Sequence, residues 1–427
     1  MRNAIARTGL LLVLLGATFA AGAQGLSADE QRIVEQVDGR IGEATALLER
    51  VVDIPSATQN LAGVRQVGDV FQQEFAALGF TTRWVSMPPE MKRAGHLVAE
   101  HAGSRGKRIL LLGHLDTVLE GERFRRSGNT AHGTGVNDMK GGDVILLHAL
   151  KALQDAGLLD PVRVSVMLTG DEESSGEPHE TSRGDMVELA KRSDVALSFE
   201  GAVRDTATTA RRGASYFTLE VTGSTGHSMG VFGPNRGAGA IFEAARILDD
   251  FYEQLRGEPY LTFNPGVILG GSDVQFDFDH GTATGKANVV PGKVIVRGDL
   301  RFISEAQKES VRSRMREIVK HHLPKTGARI TFEDGIPAMS PTPANAQLLE
   351  QLSRASLDVG GTALKALDAA ERGAGDISYV APYVAGLDGL GIKGEGSHAP
   401  GETADLASLP LLIKRTALMI HRLSLQD

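Results

Sequence analysis

Two histidines and several carboxylates of this sequence follow apolar runs or lie in polar loops, where side chains often meet ligands. His114 and Asp116 follow the apolar run Ile109–Leu112 and Gly113, and two residues spaced in this way project to the same side of an extended chain. Asp138 lies in a polar loop just before a helical stretch. A histidine oriented by a carboxylate is a common metal-ligand arrangement. A lone strand-end histidine, or a loop aspartate acting as a turn residue or N-cap, is the structural alternative.

Further carboxylates follow two other apolar runs that are typical of buried strands. Val162–Leu168 leads within two residues into the acidic segment Asp171–Glu173, and Val195–Phe199 leads directly into Glu200. Three consecutive carboxylates at the end of a parallel strand are costly unless a cation compensates them or one of them is protonated. The alternative is a solvated acidic turn. A second histidine, His398, lies in a Gly/Ser loop near the C-terminus.

Together these motifs supply two histidines and at least three carboxylates, and the chain contains no cysteine. Four of the five motifs are predicted at strand ends or in the loops beyond them, the region where open α/β sheets bind ligands. Because there is no cysteine, any metal must be held by nitrogen and oxygen ligands. Such a set suits two zinc ions that share a bridging carboxylate, with one more carboxylate left for proton transfer.

The elements that position these residues alternate between strands and helices. Apolar runs at Lys107–Gly113, Val162–Leu168 and Val195–Phe199 are separated by helical stretches at Gly142–Asp155 and Met186–Lys191. Alternation of this kind predicts an α/β fold with a mostly parallel sheet that is covered by helices on both faces.

The pattern changes near Arg211, where a small antiparallel sheet with two helices is predicted, and the α/β pattern resumes after Pro341–Pro343. We therefore expect a catalytic zinc-binding domain at 24–209 and 339–427. A smaller α+β domain at 210–338 interrupts it.

Residues 1–23 have the order of a cleavable secretory signal. Arg2 and Arg7 precede the apolar run Gly9–Ala20, which is followed by the small residues Ala21–Ala23. The run of 12 residues is too short to span a bilayer. The sequence predicts cleavage after Ala23 and a periplasmic or secreted protein, and a buried N-terminal helix is the alternative.

The charge balance excludes several classes of partner. The whole chain has 45 basic and 53 acidic residues, and without Arg2 and Arg7 the 43 basic and 53 acidic residues give a net charge of −10. Nucleic-acid and anionic-membrane partners are therefore not expected. The lack of cysteine also excludes disulfides, thiolate metal sites and a cysteine nucleophile.

The order of the motifs, with an inserted domain before the last histidine, resembles the co-catalytic zinc family of glutamate carboxypeptidase, acetylornithine deacetylase and succinyl-diaminopimelate desuccinylase. The resemblance covers nearly the whole mature chain. The motifs that carry it are His114-Leu115-Asp116, Asp138-Met139-Lys140-Gly141-Gly142, Glu172-Glu173, Glu200 and His398.

The resemblance implies two Zn²⁺ ions per subunit, for which cobalt or manganese can substitute. It also implies a cis peptide bond after Asp138. The implied roles are His114 and Glu200 as ligands of one ion, Glu173 and His398 as ligands of the other, Asp138 as the bridge, Asp116 as the residue that orients His114, and Glu172 as the general base.

The inserted segment resembles the lid and dimerisation domain of the same family, which implies a homodimer. By this resemblance His227 reaches the partner subunit's active site and stabilises an oxyanion, whereas Asn288 and Arg301 contact the substrate.

One position departs from the relatives that release glutamate. Ile336 stands where some of them carry an arginine, so glutamate specificity does not follow from the sequence. Two interpretations are open for Arg211 and Arg212, near the entrance of the lid. They either bind the substrate's carboxylate in place of that arginine or are solvated hinge residues.

The implied reaction is hydrolysis of the amide bond of a C-terminal amino acid, by a hydroxide that bridges the two metals, on a small peptide or N-acyl amino acid. One alternative is an N-acyl-amino-acid deacylase, or a dipeptidase or aminopeptidase, with the same site. Another is an inactive binding protein that kept the fold, and the intact Glu172 beside a complete ligand set argues against it.

Overall fold

The computed structural model of the protein describes residues 25–277 and 280–427, so the predicted signal segment 1–23 lies outside the described residues. Within these ranges no helix is long and apolar enough to cross a membrane. The helices of the described residues are α1 (Ala28–Val52), α2 (Leu61–Ala77), α3 (Lys140–Asp155), α4 (His179–Ser182), α5 (Gly184–Lys191), α6 (Ala240–Leu255), α7 (Glu305–Lys320), α8 (Pro343–Asp358), α9 (Ile377–Val380) and α10 (Leu409–Leu423).

The strands of the described residues are short in the loops and longest in the two main sheets. They are β1 (Thr81–Val85), β2 (His96–Ala102), β3 (Arg105–His114), β4 (Arg125–Ser127), β5 (Thr130–His132), β6 (Val162–Thr169), β7 (Val195–Ser198), β8 (Thr206–Ala207), β9 (Gly213–Gly223), β10 (Gly226–His227), β11 (Thr262–Gly271), β12 (Asp273–Asp277), β13 (His280–Thr284), β14 (Val289–Val290), β15 (Lys293–Phe302), β16 (Thr326–Asp334), β17 (Lys365–Ala366), β18 (Ala385–Leu387), β19 (Gly394–Glu395) and β20 (Thr403–Asp405).

The first main sheet has six strands in the order β1-β2-β6-β3-β7-β18. Strands β6, β3, β7 and β18 run parallel, and β1 and β2 extend one edge in antiparallel pairing. In the central strand β3, Ile109 and Leu111 pack into the core beneath α1, α3 and α10. Leu110 and Leu112 pack into the core beneath α5 and α9 on the other face. Both faces are therefore covered, which explains the unbroken apolar run and confirms the predicted fold class.

The second main sheet is antiparallel, in the order β11-β15-β9-β16. Helices α6 and α7 cover one face, where Phe217 and Leu219 of β9 pack with Ile247 of α6 and Val311 of α7 in a separate core. The sheet and its two helices lie inside the range 210–338 that the sequence analysis assigns to the lid.

The polypeptide enters and leaves this second unit through a pair of adjoining segments. The backbone N–H of Arg211 donates to the carbonyl of Met339 at 2.9 Å, and the N–H of Met339 donates back at 3.0 Å. The two crossings are thus held side by side, next to the first sheet.

Two helix starts differ from the sequence prediction. Helix α3 begins at Lys140 rather than Gly142, only two residues after Asp138. The apolar spacing also predicts a helix over 237–255, whereas α6 begins at Ala240, because Gly237 and Gly239 have φ angles of +65° and +79°, which favour glycine and are not helical.

Candidate active site

The residues predicted to do chemistry converge at the carboxyl ends of three neighbouring parallel strands. His114 is the last residue of β3, Glu172 and Glu173 follow the end of β6, and Glu200 follows the end of β7. Strand β3 pairs with both β6 and β7. Because parallel neighbours end at the same edge of a sheet, all these side chains lie along one edge.

Two groups of metal-ligating side chains meet at this edge and share Asp138. In the first group, Nε2 of His114 lies 3.3 Å from Oδ1 of Asp138 and 4.0 Å from Oε1 of Glu200. In the second, Nε2 of His398 lies 3.2 Å from Oδ2 of Asp138 and 3.1 Å from Oε2 of Glu173. Within each group the ligand atoms lie within 4.8 Å of one another. The structure thus brings together all five residues predicted as ligands.

The two groups differ in their exposure to solvent. The His114 side chain is buried, whereas the His398 side chain is 58% exposed. His398 lies in the turn between β19 and β20, with a φ angle of +65°, and β20 pairs with β5. The hairpin therefore brings a histidine from the C-terminal part of the chain over the open side of the site.

Asp116 orients His114 differently from the expectation. Nδ1 of His114 lies 2.9 Å from the main-chain oxygen of Asp116 and 3.5 Å from the carboxylate atom Oδ1. The carboxylate instead accepts hydrogen bonds from the backbone N–H groups of Glu172 (3.0 Å) and Glu173 (3.2 Å) and from the hydroxyl of Thr58 (2.6 Å). Asp116 thus holds the ring through its carbonyl and the turn that carries Glu172 through its carboxylate. With Nδ1 as the donor, Nε2 is free to face the ligand group.

The acidic segment 171–173 is not a solvated turn, and its three carboxylates do not share one environment. Asp171 is buried and pairs with the guanidinium of Arg183. Nε of Arg183 also donates to Asp376 at 2.7 Å, and the hydroxyl of Thr169 donates to the other oxygen of Asp376 at 2.6 Å. The chain therefore supplies its own cation for Asp171, which leaves the charges of Glu172 and Glu173 at the ligand groups.

The site holds more carboxylates than cations of its own. Burial raises the pKa of Glu172 well above its usual range, and the neighbouring Glu200 raises it further. Burial and Asp138 raise the pKa of Glu200 to about 8. Hydrogen bonds to Asp138 and Glu173 raise the pKa of His398 to about 10. Such an environment attracts positive charge, and its imidazole and carboxylate donors suit a divalent cation.

The loop that carries Asp138 depends on two residues that the sequence analysis missed, Asn137 and Glu402. Glu402 accepts hydrogen bonds from three backbone N–H groups of this loop, and Asn137 donates to the hydroxyl of Ser397 at 3.0 Å. The sequence signal for Glu402 is only its position four residues after His398. The peptide bond after Asp138 is cis, as the resemblance implied.

The three residues predicted on the inserted segment have their partners within that segment. His227 is exposed on β10, which pairs with β14, and Asn288 is exposed next to it, its carbonyl accepting from Ser228 at 2.9 Å. Arg301 lies on β15, where its Nε donates to Asp299 at 2.8 Å. Within the described part of the chain no hydrogen bond or ion pair joins His227, Asn288 or Arg301 to a predicted metal ligand.

Arg211 and Arg212 have different surroundings. Arg211 is buried, and its Nη1 lies 3.2 Å from Oδ2 of Asp388, so this residue is not a solvated hinge. Arg212 is partly exposed and donates to the hydroxyl of Thr262 at 3.2 Å.

Residues 110–422 match the model of peptidase family M20/M25/M40. Carboxypeptidase G2 of Pseudomonas sp. (strain RS-16) is 26% identical to the chain, over 98% of both proteins. Among solved structures, aminopeptidase PepT from Bacillus cereus ATCC 10987 superposes with a TM-score of 0.69 at 17% identity, over 92% of this chain and 98% of that one. The YXEP protein of Bacillus subtilis, described as a dinuclear metal binding peptidase from the M20 family, superposes with a TM-score of 0.61 at 14% identity, over 90% of this chain and 98% of that one.

These comparisons confirm the family that the motif order predicted. The matched segment starts in β3, before His114, and ends in α10, beyond His398, so it includes every predicted metal ligand. The chain is therefore a hydrolase and belongs to peptidase family M20/M25/M40.

Proposed function

We propose that the protein is a zinc-dependent exopeptidase that removes a C-terminal amino acid from a small peptide or N-acyl group, with two Zn²⁺ ions per subunit. The observation that carries the proposal is the position of Asp138, whose two carboxylate oxygens lie 3.3 Å and 3.2 Å from the histidines of two separate ligand groups. The resemblance to carboxypeptidase G2 over 98% of both chains supports the carboxypeptidase activity.

The donor set fits zinc, which binds imidazole nitrogen and carboxylate oxygen. His114 and Glu200 would hold one ion, Glu173 and His398 the other, and Asp138 both. When bound, the ions supply Lewis acidity and lower the pKa of a water molecule.

Glu172 is the residue proposed to move the proton. Its carboxylate lies in the site, close enough to Glu200 for that charge to affect its pKa, yet it belongs to neither ligand group. The hydrogen bond from its backbone N–H to Asp116 fixes the turn that presents it. A carboxylate in this position can accept a proton from the attacking water and return it to the leaving amine.

We propose that the segment 210–338 is a lid that also joins two subunits. Strand β11 is an edge strand of the second sheet and carries the exposed Ile268. Phe242 of α6 is also exposed and contacts the ring of Phe232 (70% exposed), and Met229 (88% exposed) lies three residues before Phe232. A free edge beside exposed apolar side chains is a surface on which a second copy can pair. His227 lies two residues before Met229 and is also exposed, so it is not part of its own subunit's core.

Mixing two inactive variants tests whether His227 acts on the partner's site. We expect His227→Ala and Glu172→Gln each to be nearly inactive alone, because one lacks the oxyanion donor and the other the base. After subunit exchange, a mixed dimer regains one intact site, so an equal mixture recovers about a quarter of the wild-type rate. Recovery is measured as amine release. A mixture that exchanges subunits but stays inactive would place His227 in its own subunit's site.

Amine release from a panel of substrates tests the proposed reaction. The mature protein is assayed on N-blocked dipeptides, N-acyl amino acids and free dipeptides, with chelator and with added zinc. Cleavage of N-blocked dipeptides that is lost with chelator and restored by zinc supports the carboxypeptidase activity. Cleavage of only the acyl amino acids or only the free dipeptides replaces it with a deacylase or a dipeptidase.

We also propose that the protein is exported, because of the charged, apolar and small-residue segments within residues 1–23. The N-terminal sequence of the protein from its producing cells tests this, and an exported form would begin at Gln24.

A further inference from the structure

The loop that carries Asp138 is anchored by one buried carboxylate. Glu402 is 5% exposed, and its Oε2 accepts from the N–H of Gly135 at 2.7 Å. Its Oε1 accepts from the N–H of Asn137 at 2.7 Å and from the N–H of Asp138 at 2.8 Å. The main-chain oxygen of Glu402 also accepts from the N–H of Gly133 at 3.2 Å. The residue thus bonds to four of the six residues 133–138.

Both the loop and the Glu402 side chain need these hydrogen bonds. The loop forms neither a strand nor a helix, and the N–H groups of Gly135, Asn137 and Asp138 find their acceptor in the Glu402 side chain. A buried carboxylate is costly unless hydrogen bonds compensate its lost hydration, and bonds from backbone N–H groups to a charged acceptor are strong. The conformation of the loop and the burial of Glu402 therefore depend on each other.

Glu402 also connects the two halves of the ligand set. It lies four residues after His398, at the end of the same turn, and β20 begins at the next residue. Asp138 must present one carboxylate oxygen toward His114 and the other toward His398. Its backbone N–H is fixed by Glu402, so the direction in which the Asp138 side chain leaves the loop is fixed from the His398 side.

Close packing around Asn137 transmits the same constraint. A Cβ placed on Gly394 would lie 2.7 Å from Cγ of Asn137, and one on Gly201 would lie 2.8 Å from its Oδ1. Asn137 therefore fits tightly between the residue after Glu200 and the strand before His398. A shift of this loop would move all three ligand-bearing segments together.

We infer that Glu402 is a positioning residue that orients Asp138 and thereby sets the metal affinity of both ligand groups. The inference rests on the proposed dinuclear metal centre. It concerns a residue outside the ligand set, and Glu402 acts through the backbone of the loop. Removal of its carboxylate would leave all five ligand side chains in the protein, but the loop that aligns them would lose its anchor.

Zinc binding to metal-free protein tests this role directly. The wild type, Glu402→Ala, Glu402→Gln and the control Glu122→Gln are stripped with chelator and titrated with Zn²⁺ in a calorimeter. Glu122 accepts from the N–H of Gly401 at 3.3 Å, so it touches the same turn, but its carboxylate has no bond to residues 135–138. The Co²⁺-loaded proteins are compared by their visible spectra, which report ligand geometry.

We expect Glu402→Ala to weaken zinc binding by at least about 10-fold, the lower end of the loss seen when residues that orient metal ligands are removed. We expect it also to change the cobalt spectrum. Glu402→Gln should have a smaller effect, because its amide oxygen can still accept from Asn137 and Asp138 while its NH₂ group faces the N–H of Gly135. Glu122→Gln should bind like the wild type.

The outcomes separate the inference from the proposed function. The positioning role alone would be overturned if the wild type binds two ions and both Glu402→Gln and Glu402→Ala keep its zinc affinity and its cobalt spectrum. Fewer than two ions bound by the wild type would overturn the dinuclear centre, and the inference with it. If Glu402→Ala does not fold, its thermal unfolding curve shows this. The comparison of zinc binding by Glu402→Gln and Glu122→Gln then decides.

Discussion

Glu172→Gln is expected to lower kcat by about 10²- to 10⁴-fold, the usual contribution of a general acid-base residue, while the metal content stays at the wild-type level. Glutamine has nearly the shape of glutamate but cannot take a proton from water. Since Glu172 belongs to neither ligand group, the substitution removes no metal ligand. The backbone N–H that bonds Asp116 is also unchanged.

The measurement is kcat on the best substrate of the panel, together with metal analysis of the same sample. Glu177→Gln is a matched control, because Glu177 is an exposed glutamate five residues away in the same loop. It should retain wild-type turnover. If Glu172→Gln keeps more than about a tenth of the wild-type kcat, Glu172 is not the general base. Loss of metal together with activity would instead make Glu172 a ligand.

Arg183→Met is expected to be strongly destabilising, by about 3–5 kcal/mol, the usual cost of removing one partner of a buried ion pair. Arg183 is 1% exposed and contacts both Asp171 and Asp376. Methionine has a similar length but no charge, so two carboxylates would remain in the interior without a cation. Arg183→Lys should recover part of the loss, because an ammonium group keeps the charge but cannot form the same fork of hydrogen bonds.

Thermal or denaturant unfolding of the metal-free proteins measures this effect, with Arg83→Met as the control. Arg83 pairs with Asp185 on the surface, with side chains 47% and 36% exposed, so its loss should cost at most about 1 kcal/mol. Equal losses in Arg183→Met and Arg83→Met would contradict the structural role of the buried network.

The stability difference between wild type and Arg183→Met should depend on pH. Burial opposes ionisation of Asp171, but Arg183 and the hydrogen bonds around it outweigh burial and lower the pKa of Asp171 in the folded protein. A carboxyl with a lowered folded-state pKa contributes stability above its unfolded value of about 4, and this contribution is lost as the pH falls through the folded-state value. The difference between the two proteins should therefore be largest near neutral pH and shrink in acid.

Several features of the site could be predicted from the sequence because they follow from local patterns. The apolar run before His114 and the run before Glu200 predict buried parallel strands, and the ends of such strands meet at one edge of a sheet. The five predicted ligands accordingly lie together in two groups that share Asp138. The change of pattern near Arg211 predicts a domain boundary, and β9 of the second sheet begins at Gly213.

Other features depend on contacts between residues far apart in the chain, and no local pattern records them. Asp171 looked like a third member of an acidic cluster, yet it turns away to Arg183, and that arginine reaches Asp376 almost 200 residues further on. The sequence left Arg211 open as a contact for a substrate carboxylate or as a solvated hinge residue, and its ion pair with Asp388 places it in the interior.

The sequence by itself determined the ligand types, their order and the family of this protein, since strand periodicity and motif spacing are properties of short segments. Only the tertiary structure decided how the ligands are held. The carboxylate of Asp116 fixes the 172–173 turn while its carbonyl orients His114. Glu402 anchors the loop of Asp138 from a distance of more than 260 residues. Such contacts form between buried polar groups, which must find hydrogen-bond partners inside the protein, so they depend on which segments the fold brings together.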